Sequence, residues 1–247
     1  MSTESAPDPD RLSGVTLALR ESFAEEEGKA PDLGAMLAEI KGKVDKERGV
    51  LAWLRSRPTW LRGLIAVSVL ALYPILDVVL RPRPDLEVYP AERLWMTFAA
   101  LGLVGFAVAL SSLRPLHRPP LPKALRWSLL AAAVLVPIIV AALPQAHAAH
   151  PAAIGGVGSE LIPKAGTCFS FGAVVALPLF FLIRALDRGT STLAIVLGAG
   201  AAGVGANLLL QNHCCITHPS HLLVGHASIA VLYVGIALIA VTFRRKG

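Results

Sequence analysis

Charge is scarce in this chain. Only 16% of its 247 residues are Asp, Glu, Lys or Arg, against 54% hydrophobic, and the mean hydropathy is +0.61. Soluble domains carry about 25% charged residues, so the composition excludes a chain that is globular throughout. Cysteine is scarcer still. Three thiols are too few, and odd in number, for a disulfide framework, which leaves them as buried thiols or as parts of a site. An apolar run near the start is also missing: the first begins about sixty residues in, behind a charged segment. No signal peptide is read there, and the amino terminus is expected to stay on the side where it was made. The formal charge of +6 and the pI near 9.5 would suit a nucleic-acid partner. The basic residues, however, gather beside apolar runs, where they set orientation, and no direct nucleic-acid binding is expected.

What the chain has in quantity is long apolar sequence. Six runs, about 64–80, 94–113, 127–143, 167–183, 193–210 and 222–243, are each long enough to span a bilayer core as a helix, which takes about 17–25 residues. The expected fold is all-α: a six-span transmembrane bundle over residues 59–247, preceded by a short amphipathic helical segment over residues 1–58. Pro74, Pro137 and Pro178 fall inside spans, where neighbouring helices can satisfy the carbonyls they free. Arg114, Arg118, Lys123 and Arg126 follow the second span without an acid, Arg184 and Arg188 follow the fourth, and Arg244-Arg245-Lys246 follow the last. By the positive-inside rule those ends and both termini are cytoplasmic. Arg81, Arg83 and Arg93 on the other side are matched by Asp85, Glu87 and Glu92.

The amino-terminal segment shows two helical stripes, Leu12, Val15, Leu19 and Phe23, then Leu33, Met36, Leu37, Ile40 and Val44, with Gly49 as a stop. Helices this short are marginal alone and need a partner surface. Residues 1–63 hold ten Lys and Arg against eleven Asp and Glu. Helices that lie on a membrane are usually basic on their polar face, so this balance favours a protein partner for Leu12, Val15, Leu19, Phe23, Leu33, Leu37, Ile40 and Val44.

The densest chemistry lies between the last two spans. His213, Cys214, Cys215, His218, His221 and His226 fall within fourteen residues, and Cys168 opens the fourth span on the same side. Imidazole and thiolate are the donors that zinc and copper prefer. Cys168, one of the cysteine pair and two histidines would make a metal site; a disulfide from Cys168 to either Cys214 or Cys215 would equally hold the spans together at their outer ends. The same residues also suit redox sensing. Asn207 and Gln211 are candidate partners of this group. Gly198, Gly200, Gly203 and Gly205 spell out letters of a dinucleotide fingerprint, but inside a span they mean close helix packing and a central place in the bundle. Asp77 has Arg81 four residues on and reads as half of a structural ion pair. No catalytic constellation is read, and the chain is not expected to be an enzyme.

The short amino-terminal segment, the six spans with both ends inside, and the element Asn212-His-Cys-Cys-Ile-Thr-His-Pro-Ser-His-Leu-Leu-Val-Gly-His226 together resemble the bacterial membrane-bound anti-sigma factors of the NrsF-like and CarR-like group. Usual members carry Cys-Pro where this chain has Cys214-Cys215. The resemblance implies a multi-pass protein of the bacterial inner membrane, controlling transcription by holding an extracytoplasmic-function sigma factor on its cytoplasmic segment, with sensing by the cysteines. The rival reading is a membrane redox enzyme or a metal transporter using the same cysteines and histidines; it leaves the amino-terminal helices without a task.

Overall fold

The computed structural model describes residues 34, 37–39, 42, 49–80, 83, 85–114, 119–143, 161–187 and 191–244. The described residues are helical, with no strand. Two compact units divide at Gly49, which takes a positive φ of 146° that glycine alone adopts readily. In the first unit Gly34, Leu37, Ala38, Glu39 and Gly42 are helical, and Leu37 is exposed. Leu12, Val15, Leu19, Phe23, Leu33, Ile40 and Val44 lie outside the described residues, as do His117, His147, His150, Arg81 and the side chain of Asp77.

The second unit runs α1 (Val50–Ser56), α2 (Thr59–Leu80), α3 (Ala91–Ser112), α4 (Lys123–Ala142), α5 (Leu161–Leu186), α6 (Thr192–His213), α7 (Pro219–Leu222), a π-turn (Leu223–Ala227) and α8 (Ser228–Arg244). Six helical stretches are long and apolar enough to cross a membrane, the last of them continuous through α7, the π-turn and α8. The chain is a multi-pass membrane protein. Most helices start a few residues before the apolar runs and several end after them, because polar ends such as Thr59 and His213 keep helical geometry at interface depth. Large apolar side chains such as Leu103, Val174 and Ile236 are left exposed on the outside of the bundle, the arrangement that lipid rather than water tolerates.

At the centre stands α6. Its span is 89% buried, against 44% or less for any other, and it packs on α2, α3, α4, α5 and α8. No face of it is polar, and its glycines explain how five neighbours fit around one helix. A Cβ on Gly203 would lie 2.6 Å from Ala230 Cα of α8, and one on Gly205 would lie 2.8 Å from Leu70 of α2. Side chains there would push helices apart. The start of α6 is capped by Ser191, whose hydroxyl accepts from Ala194 N.

Buried arginines brace both ends of the bundle. Arg62, 2% exposed, donates to Leu186 O at 2.5 Å and to Thr59 Oγ1 at 2.9 Å, while Arg55 Nε reaches Ala185 O at 3.0 Å. Both guanidinium groups thus answer carbonyls at the carboxyl end of α5, where helix geometry leaves acceptors without partners and the dipole favours a cation. At the opposite end Arg83 forms a two-pronged pair with Asp85, at 2.5 and 2.9 Å, and donates to Gln211 O at 3.0 Å. The sequence suggested only matched surface charge there. Arg83 is instead 4% exposed, Asp85 is fully buried, and the pair fixes the end of α6 three residues before Cys214.

Candidate metal centre

Three segments meet at the end of the bundle that holds the Arg83–Asp85 pair. The first is the beginning of α5, which presents Cys168. The second is the end of α6, where Cys214 is the first residue with extended backbone. The third is the entry to the last span, where Pro219 takes the first helical position, its missing N–H costing nothing there.

His221 and His226 are both fully buried in this third segment. They are five residues apart, which in a regular α-helix of 3.6 residues per turn would set them about 140° apart. The π-turn removes that separation. The N–H of Ser228 reaches back five residues to Leu223 O, and a wider turn of about 4.4 residues brings the fifth residue back toward the same face. The two rings meet edge to face, with centroids 5.4 Å apart. Gly225, inside the turn, lets α5 come close: a Cβ there would stand 3.0 Å from Ala165 O and 3.3 Å from Cys168 Cβ.

The result is a compact donor set. Cys168, Cys214, His221 and His226 each offer one ligand atom, and these atoms lie within 4.8 Å of one another. Cys168 Sγ and Cys214 Sγ are 3.9 Å apart, and Cys214 Sγ is 3.2 Å from His221 Nε2. A tetrahedral ion with metal–sulfur bonds of about 2.3 Å and metal–nitrogen bonds of about 2.0–2.1 Å has sulfur–sulfur edges of about 3.8 Å and sulfur–nitrogen edges of about 3.5 Å. The two measured edges straddle those lengths. All three cysteines are free in this structure, with the Cys168 and Cys214 sulfurs at non-bonded distance.

Hydrogen bonding points the same way. Neither ring nitrogen of His226, nor Nδ1 of His221, makes a hydrogen bond among the described residues, although all three are buried. A buried polar atom without a partner costs about 1–3 kcal/mol, and such groups call for an ion or water to answer them. Contact with the Cys168 sulfur, and then burial, push the Cys214 thiol above its ordinary range. Burial first, and the charge of Asp85 second, do the same to Cys215. An ion bound here would release the proton of each thiol it takes, since the thiolate is the ligand.

The other candidates lie apart from this set. His213 is exposed and stacks beside Phe171, with centroids 6.2 Å apart. His218 is exposed and its Nδ1 lies 2.7 Å from Ser220 Oγ. Cys215 is half-buried and follows Cys214 with its sulfur outside the donor set. Of the two amides read as partners of this group, Asn207 is buried with neither side-chain polar atom hydrogen-bonded among the described residues, and the buried Nε2 of Gln211 likewise finds none there. The neighbouring Asn212 Nδ2 donates to Pro74 O at 3.3 Å, tying α6 to α2. The π-turn and the buried Arg83–Asp85 pair were not read from the sequence. The five-residue spacing of His221 and His226 around Gly225 is the signal that could have suggested the first. No family model, curated protein or solved structure matches the chain.

Proposed function

We propose that this protein is a membrane-embedded regulator that holds a metal ion on Cys168, Cys214, His221 and His226 and couples that site to its amino-terminal segment. The observation that carries the reading is the convergence of four soft or borderline donors, from three separate segments, within 4.8 Å in a buried position. Zinc suits the set best. Two thiolates, two neutral imidazoles and a divalent ion sum to zero charge, whereas a monovalent copper ion would leave a net negative centre in a medium that penalises charge. The ion would act structurally, closing a fourfold shell around itself.

The signalling half rests on the resemblance to membrane-bound anti-sigma factors and on one helix. Near one end α5 carries Cys168; at its other end the carbonyls of Ala185 and Leu186 hold Arg55 of α1 and Arg62 of α2. Metal loss or thiol oxidation would release α5 from the other two segments and shift its grip on α1, which follows the amino-terminal segment in the chain. In this reading the site faces away from the cytoplasm of a bacterial inner membrane, and the amino-terminal helices retain an extracytoplasmic-function sigma factor. A differential of about 1–3 kcal/mol between two states of the bundle would change that retention roughly 5–150-fold.

Two measurements test the two halves. Metal analysis of the purified full chain after dialysis against a competing chelator is expected to give one zinc per molecule and far less for Cys168→Ser; equal metal in both would remove the site. Capture with the full chain in membranes is expected to recover a sigma factor, and less of it after chelation. Recovery of none, from protein with its metal in place, would end the regulatory reading and leave the metal site standing.

A further inference from the structure

A cavity of about 380 Å³ opens at the end of the bundle away from the cysteines, between α4, α6 and α8. Its composition is graded. Lys123 and Arg126 line the mouth, with Thr192 from the first turn of α6, and no acidic residue is among the described residues that line it. Deeper in, the walls are Leu130, Val196 and Leu238. Trp127, on the rim and largely exposed, marks the depth at which lipid headgroups lie.

Two further features make the mouth suited to an anion. Arg126 is held in place because its Nε donates to Leu121 O at 2.6 Å, which pre-orients the rest of the guanidinium group. The start of α4 carries no side-chain cap, so the N–H groups of its first turn, with the positive end of the helix dipole behind them, stand beside Lys123. Phosphate groups seat readily on that arrangement. A free anion would have no use for the apolar walls, and an apolar ligand none for the two cations. A molecule with a phosphate at one end and a hydrocarbon chain at the other uses both.

We propose that this cavity binds an anionic phospholipid, its phosphate on Lys123, Arg126 and the start of α4 and one acyl chain against Leu130, Val196 and Leu238. The chemistry is that of basic pockets between spans that take acidic headgroups. The bound lipid would wedge α4 and α8 against the first turn of the central helix, at the opposite end from the donor set. It does not depend on any metal being held there.

The test uses the purified full chain in phosphatidylcholine bilayers containing a minor fraction of phosphatidylglycerol, with retained lipid counted by native mass spectrometry. One phosphatidylglycerol per chain is expected. Lys123→Gln with Arg126→Gln should weaken retention about 30-fold, each cation near an anionic headgroup being worth roughly fivefold. Leu238→Trp, which fills the apolar wall from a partly exposed position, should weaken it with the cations intact. Thermal midpoints within a few degrees of the parent establish that both variants fold. Phosphatidylcholine retained as firmly as phosphatidylglycerol, or undiminished retention in the double variant, would overturn the proposal. So would inorganic phosphate that competes on equal terms while Leu238→Trp has no effect, since that would be an anion site without a place for a chain.

Discussion

Arg62 and His226 are both enclosed, at opposite ends of the same bundle, and they differ in what they meet. Arg62 finds a carbonyl at 2.5 Å and a hydroxyl at 2.9 Å. Neither ring nitrogen of His226 makes a hydrogen bond among the described residues. The first is thus answered by the chain's own backbone and a side chain, while the second meets no hydrogen-bonding partner among the described residues, a gap that a bound ion would fill. A protein selected for stability alone would have no reason to leave the second end in that condition, because apolar side chains of similar volume would pack there without the penalty. The contrast separates a scaffold from a site.

The largest effect is expected where the scaffold underlies the site. Arg83→Ala would take the guanidinium away from a fully buried Asp85 and from the carbonyl of Gln211, at a cost of about 3–5 kcal/mol, the range for breaking a buried pair from one side. Arg83→Met with Asp85→Leu should recover most of that loss. Unfolding in detergent micelles measures both; equal destabilisation by the single and double variants would show that the pair does more than neutralise itself.

Next comes the donor set. Four ligands in a structural zinc site share about 10–16 kcal/mol, so Cys168→Ser should remove roughly a quarter of it, weakening metal affinity several hundred-fold against a competing chelator. His218→Ala and His213→Ala should leave that affinity within about twofold, because both side chains are exposed and outside the set. The two groups of variants sharpen the distinction between histidines that are merely near one another in sequence and those that share a buried space.

A smaller effect is expected at the far end. Arg62→Gln loses charge-assisted bonds worth about 1.5–3 kcal/mol; the thermal midpoint should fall accordingly with metal affinity unchanged. A metal affinity that fell with it would show the two ends to be coupled through α5, and would favour the regulatory reading.

The all-helical six-span fold was legible because lipid imposes one rule: about twenty apolar residues per crossing, readable in any window. The central place of α6 was also legible, since four glycines in eight residues of a span have no use except close approach. The donor set was half legible. Cys168, one of Cys214 and Cys215, and two histidines could be named as a type, but which ones depended on local geometry. Cys214 differs from Cys215 only in being the residue at which α6 ends, and His221 pairs with His226 rather than His218 because of a turn wider than an α-helix. The buried Arg83–Asp85 pair was read as surface charge for a similar reason: no pattern distinguishes a loop that folds back over a helix end from one that lies in water.

The π-turn offers the finest test of that geometry, and the one with the smallest expected effect. Such a turn is an α-helix with one residue inserted, which keeps the flanking faces aligned. Deleting Val224, whose side chain is exposed, should let the segment relax to regular α-helix. His221 and His226 would then be four residues apart, separated by about 40° instead of the 140° that five would give. Both rings should still point at the sulfurs, and metal affinity should fall no more than about threefold. Inserting an alanine after Val224 adds about 100° of rotation that no turn absorbs, and should abolish binding in a protein whose helix content is unchanged. If the deletion is as harmful as the insertion, the wide turn matters for something other than the facing of the two imidazoles, and the closeness of His226 to Cys168 would have to be explained by Gly225 alone.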